Sequence, residues 1–274
     1  MDREVRTKAG GAGLVPLGPA RAGGVVWLVG AGPGDPELMT VKAQKVLKAA
    51  DVVIHDGLVS QAILATVRPG AKMICVAKRK SRHTLPQADI QDLLVALARQ
   101  GLSVVRLKGG DPFLFGRGGE ELEACRAAGV ECHVVPGVTA ALAAAADAGA
   151  PLTHRGEAQA VTFVTGHAAT GGAPDLDWVS LARANQTVVV YMGLSTAASI
   201  AARLMTAGRA ASTPALIVEN ASLPAERRIL TTLSGLAEAA ADLSGPALLM
   251  IGEAMALAIA TQSPLAVDKH WGVA

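Results

Sequence analysis

The feature that most constrains this chain is a recurring pattern of short apolar runs, rich in β-branched residues, which do not alternate with polar ones and end at a glycine or polar turn. Val25-Val26-Trp27-Leu28-Val29, Val52-Val53-Ile54, Val104-Val105-Arg106-Leu107 and His133-Val134-Val135 are of this kind. Runs without alternation suit strands buried on both faces. Between them lie helical patterns. Thr40 is placed to cap TVKAQKVLKAA, where Ala43, Val46, Leu47 and Ala50 recur at helical spacing; residues 88–100 and 120–128 behave alike, the last closed by Gly129. Strand, helix, strand at this spacing predicts a parallel α/β sheet.

The second half repeats the theme. Strands are expected over 160–165, 187–191, 215–218 and 247–251, a helix over 194–207, and a charged, edge-like strand over 227–232. An alanine-rich helix over 138–148 and the segment 150–155 separate the halves. The boundary is placed near Arg155, giving two α/β domains over 25–150 and 151–262 between tails 1–24 and 263–274.

Composition bounds the function. Of 274 residues, 51% are hydrophobic and 18% charged, too apolar for a disordered chain. The charge balance, 25 Lys+Arg against 23 Asp+Glu, argues against a protein that coats nucleic acid. Three Phe, three Trp and one Tyr are too few for a base-stacking platform. The first 24 residues lack the apolar stretch of a secretory signal, and the long uncharged segment 184–202 is too polar to span a membrane, so a cytoplasmic protein is expected. Cys75, Cys125 and Cys132 form no CxxC and read as reduced, buried thiols. The histidines are scattered and no metal is expected.

Two glycine-rich turns carry the functional signal. The first strand runs into Gly30-Ala31-Gly32-Pro33-Gly34-Asp35-Pro36. This is not a dinucleotide fingerprint, because Asp35 holds the sixth position and Pro33 removes an amide. The strand ending at Leu107 runs into Lys108-Gly109-Gly110-Asp111-Pro112, followed by Phe113-Leu114-Phe115-Gly116-Arg117-Gly118-Gly119-Glu120-Glu121. Glycines at the carboxyl ends of strands mark where open α/β sheets bind ligands. Arg117 and Glu120 are expected to face that pocket.

Together, GAGPGDPELMT, HDGLVS, KGGDPFLFGRGGEE, VPGVTAALAAAADAGAPLTHR, VTFVTGH and VVYMGL resemble the uroporphyrinogen-III C-methyltransferase family, in order over nearly the whole chain. The resemblance implies two α/β domains with S-adenosylmethionine in the cleft between them, a homodimer, and methylation of uroporphyrinogen III at C2 and C7 to precorrin-2, which feeds siroheme, cobalamin or another modified haem. It implies that Pro33 lines the cofactor cleft, that Gly109, Gly110, Asp111 and Leu114 hold the methionine end, and that Thr139, Ala140, Met192, Ala221 and Ala247 hold the remainder. A Gly-Gly-Asp turn suits a zwitterion, which needs amide donors and an acceptor without side-chain bulk. Only 24 residues precede the first strand, so a methyltransferase without the dehydrogenase and chelatase region of siroheme-making relatives is expected.

A uroporphyrinogen has eight carboxylates, for which arginine's planar fork is the best partner. Arg117 and Arg155 are the leading substrate contacts, and one of Arg106 and Lys108, which share a strand face, is a further candidate. The basic run Lys78-Arg79-Lys80-Ser81-Arg82-His83 reads either as a solvated loop or as a rim that attracts the polyanion. Glu120 either accepts the proton lost after methyl transfer or orients Arg117, and Asp56 is a second candidate that otherwise orders its turn. The competing readings are a methylase of this fold acting on a later corrinoid precursor or RNA, and a nonenzymatic nucleotide-binding module.

Overall fold

The computed structural model describes residues 23–77, 85–168 and 174–259. The basic run at 78–83 and most of both tails lie outside them. The first half contains β1 (Val25–Gly30), α1 (Val41–Ala49), β2 (Val52–His55), α2 (Gln61–Leu64), β3 (Lys72–Cys75), α3 (Gln87–Arg99), β4 (Ser103–Lys108), α4 (Gly118–Ala127) and β5 (Glu131–Val135). Its five strands are all parallel, in the order β3-β2-β4-β1-β5. Helices α3 and α4 bring Ile90, Leu94, Leu97 and Cys125 onto one face with Val26, Leu28, Ile54 and Val104. On the other face, α1 and α2 bring Ala43, Leu47 and Ile63 onto Val29, Val53, Val105 and Leu107. Cover on both faces is why the central strands show no polar alternation. Thr40 caps α1 as expected, its Oγ1 accepting from the Ala43 amide at 3.1 Å, and Gly129 closes α4 at φ +67°.

The edge strand β3 was not anticipated, and it overturns one expectation. Met73 and Cys75 point outward from it, so Cys75 is exposed, while Cys125 is buried and Cys132 half-buried. An edge strand has one neighbour and one uncovered flank, and a buried-thiol rule drawn from composition does not see that.

The second half contains α5 (Ala140–Asp147), β6 (Ala160–Thr165), α6 (Trp178–Leu181), β7 (Gln186–Tyr191), α7 (Ala197–Thr206), β8 (Pro214–Glu219), β9 (Arg227–Thr232), α8 (Leu236–Ala240) and β10 (Ala247–Ile251). The sheet order is β6-β7-β10-β8-β9. Here the parallel expectation fails in part. β6 and β7 are parallel, but β10 inserts antiparallel between β7 and β8, and β8 forms an antiparallel pair with β9. The short β8–β9 connection carries no crossover helix, and parallel neighbours require one. Strand β9 is the edge its charges suggested.

Helices α6, α7 and α8 cover one face of this sheet through Leu181, Ile200, Leu204 and Leu236. The other face is covered by α5, whose Ala141, Ala144 and Ala145 pack with Val189, Leu216, Val218 and Met250. Thus the helix that precedes Arg155 packs on the second sheet. The register Leu248↔Tyr191 and Ala247↔Glu219 aligns the carboxyl ends of β7 and β8 with the amino end of β10. That edge meets the glycine turns of the first sheet. The Asp35 amide donates to Ser222 Oγ at 3.2 Å, and Thr139 Oγ1 lies 2.5 Å from the Tyr191 hydroxyl.

Candidate active site

The site is built first of backbone. β1 and β4 are neighbours in register, so their glycine turns leave the sheet side by side. Gly32 and Gly110 exchange backbone hydrogen bonds of 3.2 and 2.7 Å, at φ +78° and +66°. A Cβ on Gly30 would stand 2.5 Å from the Gly137 amide nitrogen and 2.6 Å from the Gly110 carbonyl oxygen. Three loops therefore cross at a point where no side chain fits. Gly30, expected in the first glycine turn, and Gly137 both belong to this crossing, and sequence reasoning assigned Gly137 no role of its own. A third glycine following a strand in VVPG was the available signal.

Asp111 ties the crossing together. Its Oδ1 accepts from the Phe113 amide at 2.8 Å and its Oδ2 from the Gly137 amide at 3.0 Å. Both carboxylate oxygens thus hold loops. Pro33 is half-buried between Gly32 and Gly34, and Leu114 is half-buried with its amide on the Asp111 carbonyl at 3.3 Å. Three large apolar side chains of these loops and of the turn after β7 are exposed, Leu58 by 59%, Phe113 by 55% and Met192 by 53%. Leu58 abuts Gly109, where a Cβ would come within 2.9 Å of the leucine Cβ. Phe115 and Arg117 adopt φ +52° and +57°, a region that non-glycine residues enter at a cost.

Arg117 ends that loop and begins α4. Its Nε and Nη2 donate to Glu120 Oε1 and Oε2 at 2.8 and 2.7 Å, a bidentate fork in which both side chains remain about half exposed. The Glu120 hydrogen bonds raise the guanidinium's pKa, and those same bonds hold the Glu120 carboxyl below its ordinary value. Glu120 is therefore ionised at neutral pH, with one lone pair of each oxygen engaged by Arg117.

Arg106 and Lys108 do share a face, but it is the interior one. Both are buried, and they converge on Glu121 Oε1 at 3.0 and 3.2 Å, with Gln87 Nε2 at 3.2 Å. Neither is a substrate contact. Strand periodicity reports that two residues face the same way, not which way that is. Burial lowers the Lys108 pKa, Arg106 lowers it further, and Glu121 offsets part of the effect. Glu121 Oε2 has no hydrogen-bond partner among the described residues.

Asp56 orders its turn, Oδ1 accepting from the Leu58 amide at 3.0 Å, while Oδ2 lies 3.8 Å from Arg106 Nη2. It lines a cavity of about 480 Å³ with His55, Gln61, Met73 and Cys75 at the ends of β2 and β3. Arg155 is exposed on a turn closed by His154 and Ala158, which leads into the amino end of β6. No hydrogen bond or ion pair among the described residues joins Arg155 to Arg117 or Glu120.

From the second sheet, Met192 follows β7 at φ +56°, and Ala221 is buried between Asn220 and Ser222, which both have positive φ. Ala247 is half-buried opposite Glu219. All three lie at the edge that meets the glycine turns, where Thr139 and Ala140 open α5 about 4 Å from the Cβ position of Gly110. Tyr191 and Ser222, which make the contacts between the halves, were missed. Their signals were weak: the chain's one tyrosine in VVYMGL, and a serine in a turn. Among the described residues no group of three or more His, Cys, Asp or Glu side chains could hold a metal.

The chain is similar to known proteins along most of its length. The chain is 51% identical to the siroheme synthase of Chromobacterium violaceum over 246 residues, 89% of this chain and 52% of that protein. It is 52% identical to the siroheme synthase of Neisseria meningitidis serogroup C over 235 residues, 86% of this chain and 49% of that protein. It spans about half the length of these curated relatives. Among solved structures it is similar to uroporphyrin-III C-methyl transferase from Thermus thermophilus complexed with S-adenyl homocysteine, at 44% identity and a TM-score of 0.75, covering 88% of this chain and 98% of that one. A cobalt precorrin-4 methyltransferase is similar at 31% identity and a TM-score of 0.75, covering 84% and 95%. The profile of the tetrapyrrole (corrin/porphyrin) methylases matches residues 25–237, a span that runs from β1 through both glycine turns and into the second sheet, and the chain belongs to that family.

Proposed function

We propose that this chain transfers methyl groups from S-adenosylmethionine to C2 and C7 of uroporphyrinogen III, forming precorrin-2 and S-adenosylhomocysteine. The observation that carries the reading is the three-loop crossing of Gly30, Gly110 and Gly137 beneath an exposed apolar rim, in a chain 44% identical to a methyltransferase complexed with S-adenyl homocysteine. The donor set fits such a ligand: backbone groups where side chains are excluded, and aliphatic and aromatic surface for its flat parts.

In this reading Pro33, Gly109, Gly110, Asp111, Leu114, Thr139 and Ala140 form one wall of the cofactor cleft, and Met192, Ala221 and Ala247 the other. When bound, S-adenosylmethionine supplies an electrophilic methyl group on a cationic sulfonium. The chain's cleft would align a pyrrole carbon with that methyl group, so that C–C bond formation accompanies C–S cleavage to S-adenosylhomocysteine, and the ring proton lost afterwards would pass to water. Arg117 holds a substrate carboxylate, with Glu120 fixing its guanidinium in a reactive orientation, because a carboxylate already engaged by an arginine is a weak base. Water exclusion and alignment supply much of the rate enhancement, with no covalent enzyme intermediate. Asp56 orders the turn beside the cleft, and Arg155 contributes a second cation to the acceptor.

The chain acts as a homodimer in the cytoplasm, and its product feeds siroheme, cobalamin or another modified haem. No helix of the described residues is long and apolar enough to cross a membrane. A later corrinoid acceptor is the second reading, favoured by the cobalt precorrin-4 methyltransferase, but at 31% identity rather than 44%. Anaerobic incubation with uroporphyrinogen III and S-adenosylmethionine, followed by mass measurement of the tetrapyrrole, separates them. Gain of two methyl groups is expected. An unchanged mass with a folded, cofactor-binding protein contradicts the proposal.

A further inference from the structure

We infer that Tyr191 is a positioning residue for the cofactor: from the second sheet, its hydroxyl caps the amino terminus of α5 and orients Thr139 beside Gly110. The inference rests on the methyltransferase reading and concerns a residue that contacts no reacting atom.

Thr139 occupies the N-cap position of α5, with extended backbone at φ −74° and ψ 149°, yet its side chain makes no capping bond. An N-cap threonine ordinarily accepts from an amide of its own first turn. Here the Ala141 amide instead donates to the Tyr191 hydroxyl oxygen at 3.1 Å, and Thr139 Oγ1 lies 2.5 Å from that oxygen. Two hydroxyls bring two protons. One is used in the bond between them, and the other remains on whichever oxygen accepts. A single donor is therefore left over at the start of α5. There the Thr139 Cα and Ala140 nitrogen each stand 3.9 Å from the Cβ position of Gly110, whose φ of +66° admits no side chain readily.

The tyrosine ring is held in turn. Phe115, from the strained loop of the first half, lies 5.1 Å from it, tilted by 46°, and Phe163 of β6 meets it edge-on at 6.2 Å. One side chain thus joins β7 to the Phe115 loop and to α5, and Met192 is its chain neighbour. Burial pushes the Tyr191 phenol up, while its bonds with Thr139 and Ala141 act in the opposite sense, so the group stays a neutral donor and acceptor at ordinary pH.

The test is Tyr191→Phe, which keeps the ring contacts and removes only the hydroxyl, alongside Thr139→Val and the double variant. S-adenosylhomocysteine affinity is read by calorimetry and folding by thermal unfolding. Tyr191→Phe should weaken binding about tenfold and raise KM for S-adenosylmethionine by a similar factor, with kcat and the uroporphyrinogen III KM nearly unchanged. The double variant should bind no worse than the weaker single one, because both remove the same pair. Lowered thermal stability with unchanged affinity and KM would show a packing role alone and overturn the inference. Additive losses in the double variant would also overturn it. Wild-type protein that binds no S-adenosylhomocysteine overturns the methyltransferase reading and this inference with it, whereas normal wild-type binding with undiminished Tyr191→Phe binding overturns the inference alone.

Discussion

Glu120 and Glu121 are chain neighbours in the first turn of one helix, and they have opposite fates. Glu120 is exposed and grips Arg117 from the surface, while Glu121 is fully buried beneath two cations of β4. Successive helix residues point about 100° apart, so one step along α4 carries a carboxylate from solvent to interior. The exposed pair is inexpensive to hold and free to meet a ligand. The buried trio binds α4 to the end of β4, and so sets where the Arg117 loop emerges. Like residue types thus divide into a holder of the fold and, in the proposed function, a holder of the substrate, and burial distinguishes them.

Breaking the buried side of that division should have the largest effect. Glu121→Ala leaves Arg106 and Lys108 buried without their anion, which should cost about 3–5 kcal/mol of folding free energy, read as a lower urea midpoint. A loss comparable to that of an exposed residue would contradict the division. A third carboxylate sharpens it: Asp147, at the end of α5, faces Glu226 rather than a dedicated cation, with Arg228 nearby and the Ser222 backbone as a donor. Burial, then the Glu226 charge, pushes it up to about 6 from an ordinary 3.8. A raised folded-state value means a contribution that is full below about pH 4 and lost as pH rises through about 6. Asp147→Asn should therefore flatten the stability profile between those limits and stabilise the protein at pH 7–8 by about 1–2 kcal/mol. Thermal unfolding across that pH range checks it, and a variant less stable than wild type at pH 8 would refute the assignment. The smallest effect belongs to the exposed pair: Glu120→Gln should change stability by less than about 0.5 kcal/mol while lowering turnover several-fold. Undiminished turnover would remove Glu120 from the reaction.

What was legible beforehand follows the same physics. The four apolar runs of the first half became β1, β2, β4 and β5; cover on both faces writes itself into the composition of the central three, whereas the edge strand β5 buries only Val135. The edge strand β3 and the short helices α2 and α8 were not anticipated, having few buried positions to leave a pattern. In the second half the strands stood where expected, but their order did not follow. The insertion of β10 between β7 and β8 is decided by tertiary pairing, which no local window contains. The glycine turns were readable because a missing side chain is a local fact. Gly137, Tyr191 and Ser222 were not, because each matters only through a residue distant in sequence. Arg106 and Lys108 were misread for the reason that separates Glu121 from Glu120: charge is visible in a sequence, whereas the face that will be buried is not.

The division of labour itself is tested most directly by Arg117→Ala, with S-adenosylhomocysteine affinity and methyl transfer to uroporphyrinogen III measured on the same preparation. Affinity within about twofold of wild type, together with a loss of turnover of about a hundredfold, is the expected result. Affinity that falls in step with turnover, or turnover that survives, would contradict the assignment of Arg117 to the acceptor and of the glycine crossing to the cofactor.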